Sequence, residues 1–331
     1  GASRETYRQF AGSEIPASAA SGIGARAMNL NLALFRLLLF PGLLYAVPVA
    51  WFLLWTERKT VALMQRRIGP PFLQPFFDFM KLMGKSVPAR PGIAGALLSV
   101  WPILAVAASI GALSLLPVFP ARNGFPGDLI LLLALLELPS FFYIAAGFTS
   151  GSLFAEIGSV REAVLSISYN VVFLIAVIAI AVSQHTFRLE ELAQPSPSLL
   201  RWLGILAILA CIPAKLHLNP FSVANAEQEI YAGPMTEYAG PGLALWDLSH
   251  GLEWVAMTGL VASLAMPRSA HWWIDLLTFQ IFCMGVVLLL SALAAATARL
   301  TIDYAARMYW RLGLVVAILA VSTALLARLK L

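Results

Sequence analysis

The chain has 331 residues, of which 60% are hydrophobic and only 12% are charged, and its formal net charge is +5. Its mean hydropathy of +0.82 lies well outside the range of soluble domains. These values exclude a soluble enzyme and predict an integral membrane protein. The fold class we predict is all-α: a polytopic membrane helical bundle of about eight transmembrane helices, with an additional amphipathic helix on the cytoplasmic side.

Long apolar runs follow a polar N-terminal segment. Residues 1–36 are rich in Ala and Ser, and we interpret them as an external tail that leads into the first span. Residues 37–331 are predicted to form a single membrane domain. Its predicted spans, each able to cross about 30 Å of hydrocarbon, are Leu37–Trp55, Ile93–Val118, Leu129–Phe148, Ala163–Val182, Leu199–Leu216, Leu243–Ala265, Ile274–Ala298 and Leu312–Ala327.

Cations are unevenly distributed between the predicted loops. Seven of the 22 Lys and Arg residues lie in the first loop, at about residues 57–92. Because basic loops stay in the cytoplasm, this distribution predicts that the first loop is cytoplasmic and that both termini lie outside. The other predicted cytoplasmic loops are residues 149–162, 217–242 and 299–311. Topology also explains the pI near 9.4, so we expect no nucleic-acid partner.

The first loop mixes charge with apolar surface. Its sequence, ERKTVALMQRRIGPPFLQPFFDFMKLMGK, places cations among Phe, Met, Leu and Pro. Gln74, Asp78, Lys81 and Lys85 are four, three and four residues apart, so on a helix they form one polar stripe. Such a helix either lies in the lipid interface with Lys toward the headgroups or forms a platform for a cytoplasmic protein.

Acidic residues occur where an ionisable group is costly. Glu137 lies within the third apolar run, which makes it a functional-site candidate, with a structural ion pair as the alternative. In the third cytoplasmic loop, Glu227, Glu229 and Glu237 lie among aromatic, Gly and Pro residues. Carboxylates at a low-dielectric boundary have raised pKa values, which suits a proton relay. A merely solvated acidic loop is the alternative.

Two short patterns flank or enter predicted spans. Ser159 and Glu162 match the S-x-x-E capping box directly before an apolar run, which predicts a helix start there. The capping box does not explain Arg161, a cation beside a membrane entry. His250 and Glu253 are three residues apart in the sixth run, where they could share a proton or form a hydrogen-bonded interface pair.

No pattern predicts a metal or cofactor held by this chain. Cys211 and Cys283 lie in separate predicted spans, without the spacing of a zinc, haem or iron–sulfur site. His185, His217 and His271 lie near predicted span ends and give no metal pattern. We therefore expect buried free thiols, no metal site and no catalytic residue.

Several motifs in order carry a family resemblance. ERKTVALMQRRIGP, LQPFFDFMK, EQEIYAGPMTEYAGP and the predicted spans resemble the membrane subunit family shared by respiratory complex I, where it is the H subunit, and the group 4 energy-converting nickel–iron hydrogenases. The likeness extends from Leu37 to about Arg311. The uninterrupted RRIGPPFLQPFFDFMK and the segment Gly147–Glu162 are most similar to the hydrogenase branch, with its Ech-type, CO-induced and formate hydrogenlyase subunits.

The resemblance implies a bacterial inner-membrane subunit that docks a hydrogenase-like arm and passes energy to antiporter-like neighbours. The implied partners are hydrogenase-like large and small subunits, antiporter-like subunits and lipid, with the iron–sulfur clusters and nickel–iron centre in the partners. The implied docking and cavity residues are Glu57, Arg58, Arg66, Arg67, Gln74, Asp78, Lys81, Arg161 and Glu162. The candidate proton-relay residues are Glu227, Glu229, Glu237 and Glu137.

Four positions depart from the family's pattern. Ser222 and Asn225 stand where acids are usual, Ser86 replaces the Glu that commonly ends the first-loop helix, and Asn170 occupies a region that often carries an acid. The expected proton path is therefore either rerouted through the remaining acids or weakly coupled.

Two other functions are kept as alternatives. The H subunit of a quinone-reducing complex I would bind a quinone with its headgroup near Arg66 and Asp78. A stand-alone transporter is more remote, because no pair of Gly- or Pro-interrupted spans recurs in corresponding halves.

Overall fold

The structure is a computed structural model that describes residues 38, 42–87, 91–117, 127–194, 199–226, 229, 233–266 and 271–329. Within these residues there is no strand. The helices are α1 Leu43–Met64, α2 Gln74–Met83, α3 Gly92–Leu115, α4 Asp128–Ser150, α5 Leu153–Ser183, α6 Leu189–Leu192, α7 Leu199–Lys215, α8 Gly240–Ala265, α9 Trp272–Ala296 and α10 Ile302–Leu329, with a 3₁₀ helix at Gly233–Glu237. The predicted N-terminal tail and the relay candidate Glu227 lie outside the described residues.

The predicted all-α fold is confirmed. A helix lies at the place of each predicted span, and the predicted amphipathic helix is α2. Within the described residues, α3, α4, α5 and α9 are long and apolar enough to cross a membrane, judged by length and hydropathy. The chain is therefore a polytopic helical membrane protein.

Three helices extend well beyond their predicted spans. Helix α1 continues to Met64, nine residues past the predicted end at Trp55. Helix α5 begins at Leu153, so the cytoplasmic loop predicted at residues 149–162 is mostly helical. Helix α10 begins at Ile302, which shortens the loop predicted at residues 299–311. Hydropathy marks only the apolar part of a helix, whereas the backbone hydrogen bonds continue into the charged turns beyond it.

The capping box predicted at Ser159 and Glu162 is wrong. Both residues lie inside α5, whose N-cap is Ser152, without a side-chain cap hydrogen bond. Ser159 is buried against α4, where a Cβ on Gly147 would lie 1.8 Å from its Oγ. Glu162 is fully buried. Residues three apart share one helix face, and here that face points into the bundle.

Helices α5 and α8 organise the bundle. Helix α5 packs against α4, α7 and α10, and α8 packs against α1, α3 and α9. Small residues allow these close approaches: a Cβ on Gly251 would lie 2.9 Å from Leu54 Cδ1, and one on Gly204 would lie 2.6 Å from Ile180 Cγ1. Close backbone approach at small residues is the usual basis of helix packing in membranes.

Candidate functional site

A polar cavity of about 230 Å³ lies between α1, α4, α8 and the segment that follows α7. Glu57 lines it from α1, His250 and Glu253 line it from α8, and His217 lines it from the segment after α7. The proton sharing predicted for His250 and Glu253 does not occur by a direct contact in the described part of the chain; Glu253 instead accepts a hydrogen bond from Ser249 Oγ at 3.4 Å. The cavity thus collects titratable groups from three parts of the bundle.

The first buried ion pair joins α4 to the end of α7. Lys215 Nζ lies 2.8 Å from Glu137 Oε1, and the exposed fractions of the two side chains are 1% and 25%. Asn170 donates a hydrogen bond to Glu137 Oε2. A buried charge needs an opposite charge and further hydrogen bonds, and both are present here. The ion pair considered as the alternative for Glu137 therefore exists, as part of a larger network.

The second ion pair joins α5 to the segment after α7. His217 Nε2 lies 3.0 Å from Glu162 Oε2, and the Glu162 side chain is 0% exposed. Neither atom has an aligned hydrogen-bond partner among the described residues, so this 3.0 Å contact is an ion pair. Burial alone would lower the pKa of His217, but the Glu162 carboxylate more than offsets burial and raises that pKa above its ordinary value. The pair therefore favours an imidazolium beside a carboxylate.

The backbone at the end of α7 sets the direction of His217. His217 has a φ of 51°, in the left-handed region. The N–H of Leu218 donates to the carbonyl of Pro213 at 2.8 Å, which is the longer hydrogen bond of a Schellman motif. Glycine usually occupies this position because the left-handed conformation costs other residues roughly 1 kcal/mol. Here a histidine occupies it, and its ring contacts α5.

Tyr169 contacts both ion pairs. Its hydroxyl donates to Glu162 Oε1 at 3.4 Å and lies 3.5 Å from Ser140 Oγ. Lys215 Nζ lies over its ring, 5.6 Å from the centroid. Because Tyr169 is fully buried, these contacts are made away from solvent.

One face of α5 therefore carries a polar stripe through the bundle. Glu162, Ser166, Tyr169 and Asn170 are spaced four, three and one residues apart. At 1.5 Å per residue this stripe spans about 12 Å. The i, i+4, i+7, i+8 spacing is a sequence signal that could have predicted the stripe. A search for acidic residues alone overlooks it, because Ser166, Tyr169 and Asn170 are not acids. Lys215 and His217 were missed because each resembles an ordinary span-end residue.

The first-loop residues divide into two groups. Arg58 Nη1 lies 3.4 Å from Asp78 Oδ2, and Gln74 Nε2 donates to Asp78 Oδ1 at 2.8 Å. These contacts tie α2 to the end of α1. The remaining basic docking candidates of the first loop are exposed: Arg66, Arg67 and Lys81. The predicted stripe on α2 therefore splits between an α1-facing half and an exposed half.

Glu229 and Glu237, the two acids of the predicted loop at residues 217–242 that the structure describes, do not line the cavity. Glu229 forms an ion pair with Arg161 of α5, and the Glu229 side chain is 57% exposed. Glu237 is half-buried at the end of the 3₁₀ helix. The cavity lining in this segment comes instead from His217, Asn225 and Met235.

Two of the four departures from the family's acidic pattern, Asn225 and Ser222, have side-chain partners in the structure. Asn225 accepts a hydrogen bond from Tyr143, and its Nδ2 lies 3.4 Å from His217 Nδ1. Ser222 Oγ accepts a hydrogen bond from Arg299 Nε at 2.9 Å. A neutral amide at position 225 leaves Glu162 as the direct carboxylate partner of His217.

The comparison with known families covers most of the chain. Residues 37–325 match the family model described as NADH dehydrogenase. The chain belongs to this family. The sequence motifs therefore gave a correct indication, and the helical bundle is the fold of an NADH dehydrogenase family membrane subunit.

The relatives of this NADH dehydrogenase family chain include hydrogenase and quinone oxidoreductase subunits. It is 33% identical to hydrogenase-4 component C of Escherichia coli (strain K12) over 220 residues, which are 64% of the chain and 69% of the relative. It is 29% identical to the H subunit of the NADH-quinone oxidoreductase of Acidovorax sp. (strain JS42) over 249 residues, 68% of each protein. A chain of the membrane-bound sulfane sulfur reductase, an archaeal respiratory membrane complex, matches with a TM-score of 0.78 and 29% identity, covering 87% of this chain and 99% of that one.

Proposed function

We propose that the chain is the membrane-anchoring, ion-coupling subunit of a complex-I-like, energy-converting hydrogenase-type oxidoreductase. In this proposal it docks the iron–sulfur arm of the complex and relays protons or conformational change to antiporter-like subunits. The iron–sulfur clusters and a nickel–iron centre belong to the partners. The chain lies in the bacterial inner membrane, with its first loop cytoplasmic and its termini outside.

The buried ion pairs beside the cavity support the proposed role in ion coupling. An anchor needs no charge in its interior, and an ionisable side chain at the centre of a membrane helix costs at least about 2.5 kcal/mol. Glu137, Lys215, Glu162 and His217 are nevertheless buried or half-buried within the bundle. Groups of this kind are typical of ion paths, because their proton affinity responds strongly to nearby charge.

Exposed apolar surface supports the docking half. Ile68 is 88% exposed, and Phe72, Phe77 and Met80 are each more than half exposed. They lie between the basic residues of the first loop and of α2. Apolar patches rimmed by cations mark protein interaction sites, so an arm with apolar and acidic surface would fit here.

Coupling in this proposal is electrostatic and reciprocal. A change of charge on the docked arm alters the proton affinity of the carboxylates that line the cavity. His217 then passes the change to Glu162, which no solvent reaches directly. By thermodynamic linkage, protonation of these groups alters the free energy of the charge change on the arm by the same amount.

Gentle detergent purification through a tag on this chain tests the proposal. Co-purifying chains are identified by mass spectrometry, and nickel and iron are measured in the same sample. Hydrogenase-like subunits with iron and nickel would support the proposal. Purification of a lone chain without metal would contradict it.

The cavity favours quinone binding as a second candidate function. The buried Trp246 Nε1 atom has no hydrogen-bond partner among the described residues, and Trp246 lines the cavity, so its N–H could donate a hydrogen bond to a quinone carbonyl. A ring fits, since an apolar cavity of about 150 Å³ holds benzene. Such a headgroup would lie near Trp246 and His250 rather than near Arg66 and Asp78, which do not line the cavity.

Photoaffinity labelling with a quinone analogue separates the two candidates. Labelling within α8, together with iron but no nickel and quinone-reducing subunits, would favour the quinone function. Turnover of hydrogen without turnover of quinone, and no labelling of α8, would exclude it.

A further inference from the structure

The two ion pairs lie on different sides of Tyr169. His217, of the Glu162–His217 pair, lines the cavity. Glu137, of the Glu137–Lys215 pair, does not line the cavity, yet its side chain is 25% exposed. The phenol lies between them, with its hydroxyl on Glu162 and its ring under Lys215. A group that joins the two pairs would therefore join the cavity to a second opening of the network.

Glu162 has the contacts that a through-going relay needs. Its Oε2 faces His217 at 3.0 Å, and its Oε1 accepts from Tyr169 at 3.4 Å. One oxygen can therefore receive a proton while the other side gives one up. A purely structural carboxylate in an ion pair needs only the first of these contacts. Proton transfer requires a heavy-atom distance of about 2.6–3.2 Å or one bridging water molecule, so the 3.4 Å contact to Tyr169 has to shorten slightly when the carboxyl group turns.

The hydroxyl of Tyr169 reaches onward to α4. Ser140 Oγ lies 3.5 Å from it, and Ser140 is one helical turn from Glu137 on the same helix. Ser140 also lines the cavity, which has room for water. A polar route thus runs from His217 through Glu162, Tyr169 and Ser140 toward Glu137.

We propose that Tyr169 is a hydroxyl relay that connects the Glu162–His217 pair to the Glu137–Lys215 pair. This inference rests on the proposed coupling function and adds the residue that joins its two halves. His217 gives its Nε2 proton to Glu162, and a half-turn of the carboxyl group presents that proton to Tyr169. The phenol oxygen accepts it while the phenol O–H passes to Ser140.

The transfer is balanced without an ionised phenol. The proton that leaves Ser140 reaches the Glu137 carboxylate, one helical turn away, through one water molecule admitted at the partly exposed Glu137 side chain. Each O–H or N–H bond that breaks is matched by one that forms, and no electron moves. After the transfer, Glu162 is again a carboxylate and Glu137 is a neutral acid, so Lys215 loses its counter-charge. That unpaired lysine is the signal available to a neighbouring subunit.

The test compares two buried tyrosines in the complete complex. Tyr169→Phe removes the proposed relay hydroxyl. Tyr309→Phe is the matched control: Tyr309 is fully buried, its ring packs against Tyr169 at 6.3 Å, and its hydroxyl donates only to a backbone carbonyl, that of Ala210 at 2.8 Å. Glu137→Gln serves as the reference for loss of coupling. The readout is the ratio of protons translocated to electrons transferred in sealed vesicles, with assembly verified by native gel.

We expect Tyr169→Phe to lower that ratio by roughly tenfold or more, in keeping with the rate contribution of a positioned proton-transfer group. Electron transfer should stay close to that of Tyr309→Phe, which should keep the wild-type ratio. Equal ratios for Tyr169→Phe and Tyr309→Phe, with Glu137→Gln still uncoupled, would overturn the relay and leave the proposed function standing. An unchanged ratio in all three variants would overturn the proposed function as well.

Discussion

At the scale of single residues, the site depends on charges that only tertiary contacts make tolerable. Lys215 and Glu162 are almost completely buried, and each has one opposite charge within hydrogen-bond distance. Removing one partner from such a pair is far more disruptive than removing both, because the remaining charge stays buried without compensation. This asymmetry makes both pairs accessible to substitution experiments.

Replacement of His217 by Asn should separate its backbone role from its charge. Asn tolerates the left-handed conformation, so the end of α7 should keep its geometry while Glu162 loses its cation. We expect the free energy of unfolding to fall by roughly 3–5 kcal/mol. His185→Asn is the matched control, since His185 has a φ of 55° but an exposed side chain. Thermal unfolding in detergent measures the stability of both variants. An equal loss of stability in the two would contradict the stabilising role of the Glu162–His217 ion pair.

The His217 contribution should also depend on pH with a defined sign. The pKa of His217 in the folded protein lies above the ordinary value of 6.5. The stabilisation by protonated His217 is therefore fully present below that ordinary value and is lost as pH rises through the folded-state pKa. The stability difference between wild type and His217→Asn should shrink from mildly acidic to alkaline pH. A difference that grows with pH would show that His217 is buried in its neutral form.

A double-substitution cycle tests the Glu137–Lys215 pair. Glu137→Gln should destabilise the protein by roughly 3–5 kcal/mol because Lys215 stays buried and unpaired. Adding Lys215→Met should recover much of that loss, since both charges are then absent, while proton coupling should stay lost. Melting temperatures and vesicle proton uptake of the two single variants and the double variant measure these terms. Additive losses of stability would show that the two side chains do not interact.

At the scale of elements, close approaches set the position of the 3₁₀ helix, which contributes Met235 to the cavity wall. A Cβ on Gly158 of α5 would lie 2.8 Å from both Gly233 Cα and Pro234 Cδ. The 3₁₀ helix therefore rests directly on α5, with backbone against backbone. This contact fixes Met235 on the cavity wall.

Gly158→Ala should displace the 3₁₀ helix. The methyl group meets backbone atoms, which cannot move aside cheaply, so we expect a loss of about 1–3 kcal/mol. Gly285→Ala is the control, because a Cβ there meets nothing within 4 Å, and helix propensity predicts no loss or a slight gain. Limited proteolysis and thermal unfolding compare the two. Indistinguishable variants would mean that the 3₁₀ helix is not held by this contact.

The helices could be predicted from sequence because their signals are local. Apolar run length predicted the spans, and the four-three-four spacing predicted α2. The start of α5 could not be predicted by hydropathy, because its first turns lie outside the apolar run and its S-x-x-E motif matches a cap. Lys215 and Glu137 are 78 residues apart, so their pairing depends on how two helices are rotated in the bundle. A local sequence pattern does not determine how each helix is rotated about its axis.

At the scale of the whole molecule, the cavity and the exposed first loop lie at the same end of the bundle. Glu57 belongs to the cavity wall, and the loop that follows α1 is held in place by hydrogen bonds from Lys59 Nζ to the Ile68 carbonyl at 2.6 Å and from Trp55 Nε1 to the Pro70 carbonyl at 3.2 Å. Ile68 is thus presented on a fixed backbone, which lowers the entropy cost of binding a partner.

If the proposed soluble arm docks at the first loop, Ile68→Asp should weaken its docking without unfolding the bundle. Truncation of a central apolar anchor typically costs 2 kcal/mol or more, so we expect roughly a thirtyfold or greater weakening of arm retention. Phe187→Asp is the control, since Phe187 is an exposed apolar loop residue, 47% exposed, that follows the far end of α5. The ratio of arm subunits to tagged chain after increasing salt and detergent washes measures retention. If both variants keep the arm equally well, the first loop is not its docking site, and the ordered Ile68 contacts something other than a soluble partner.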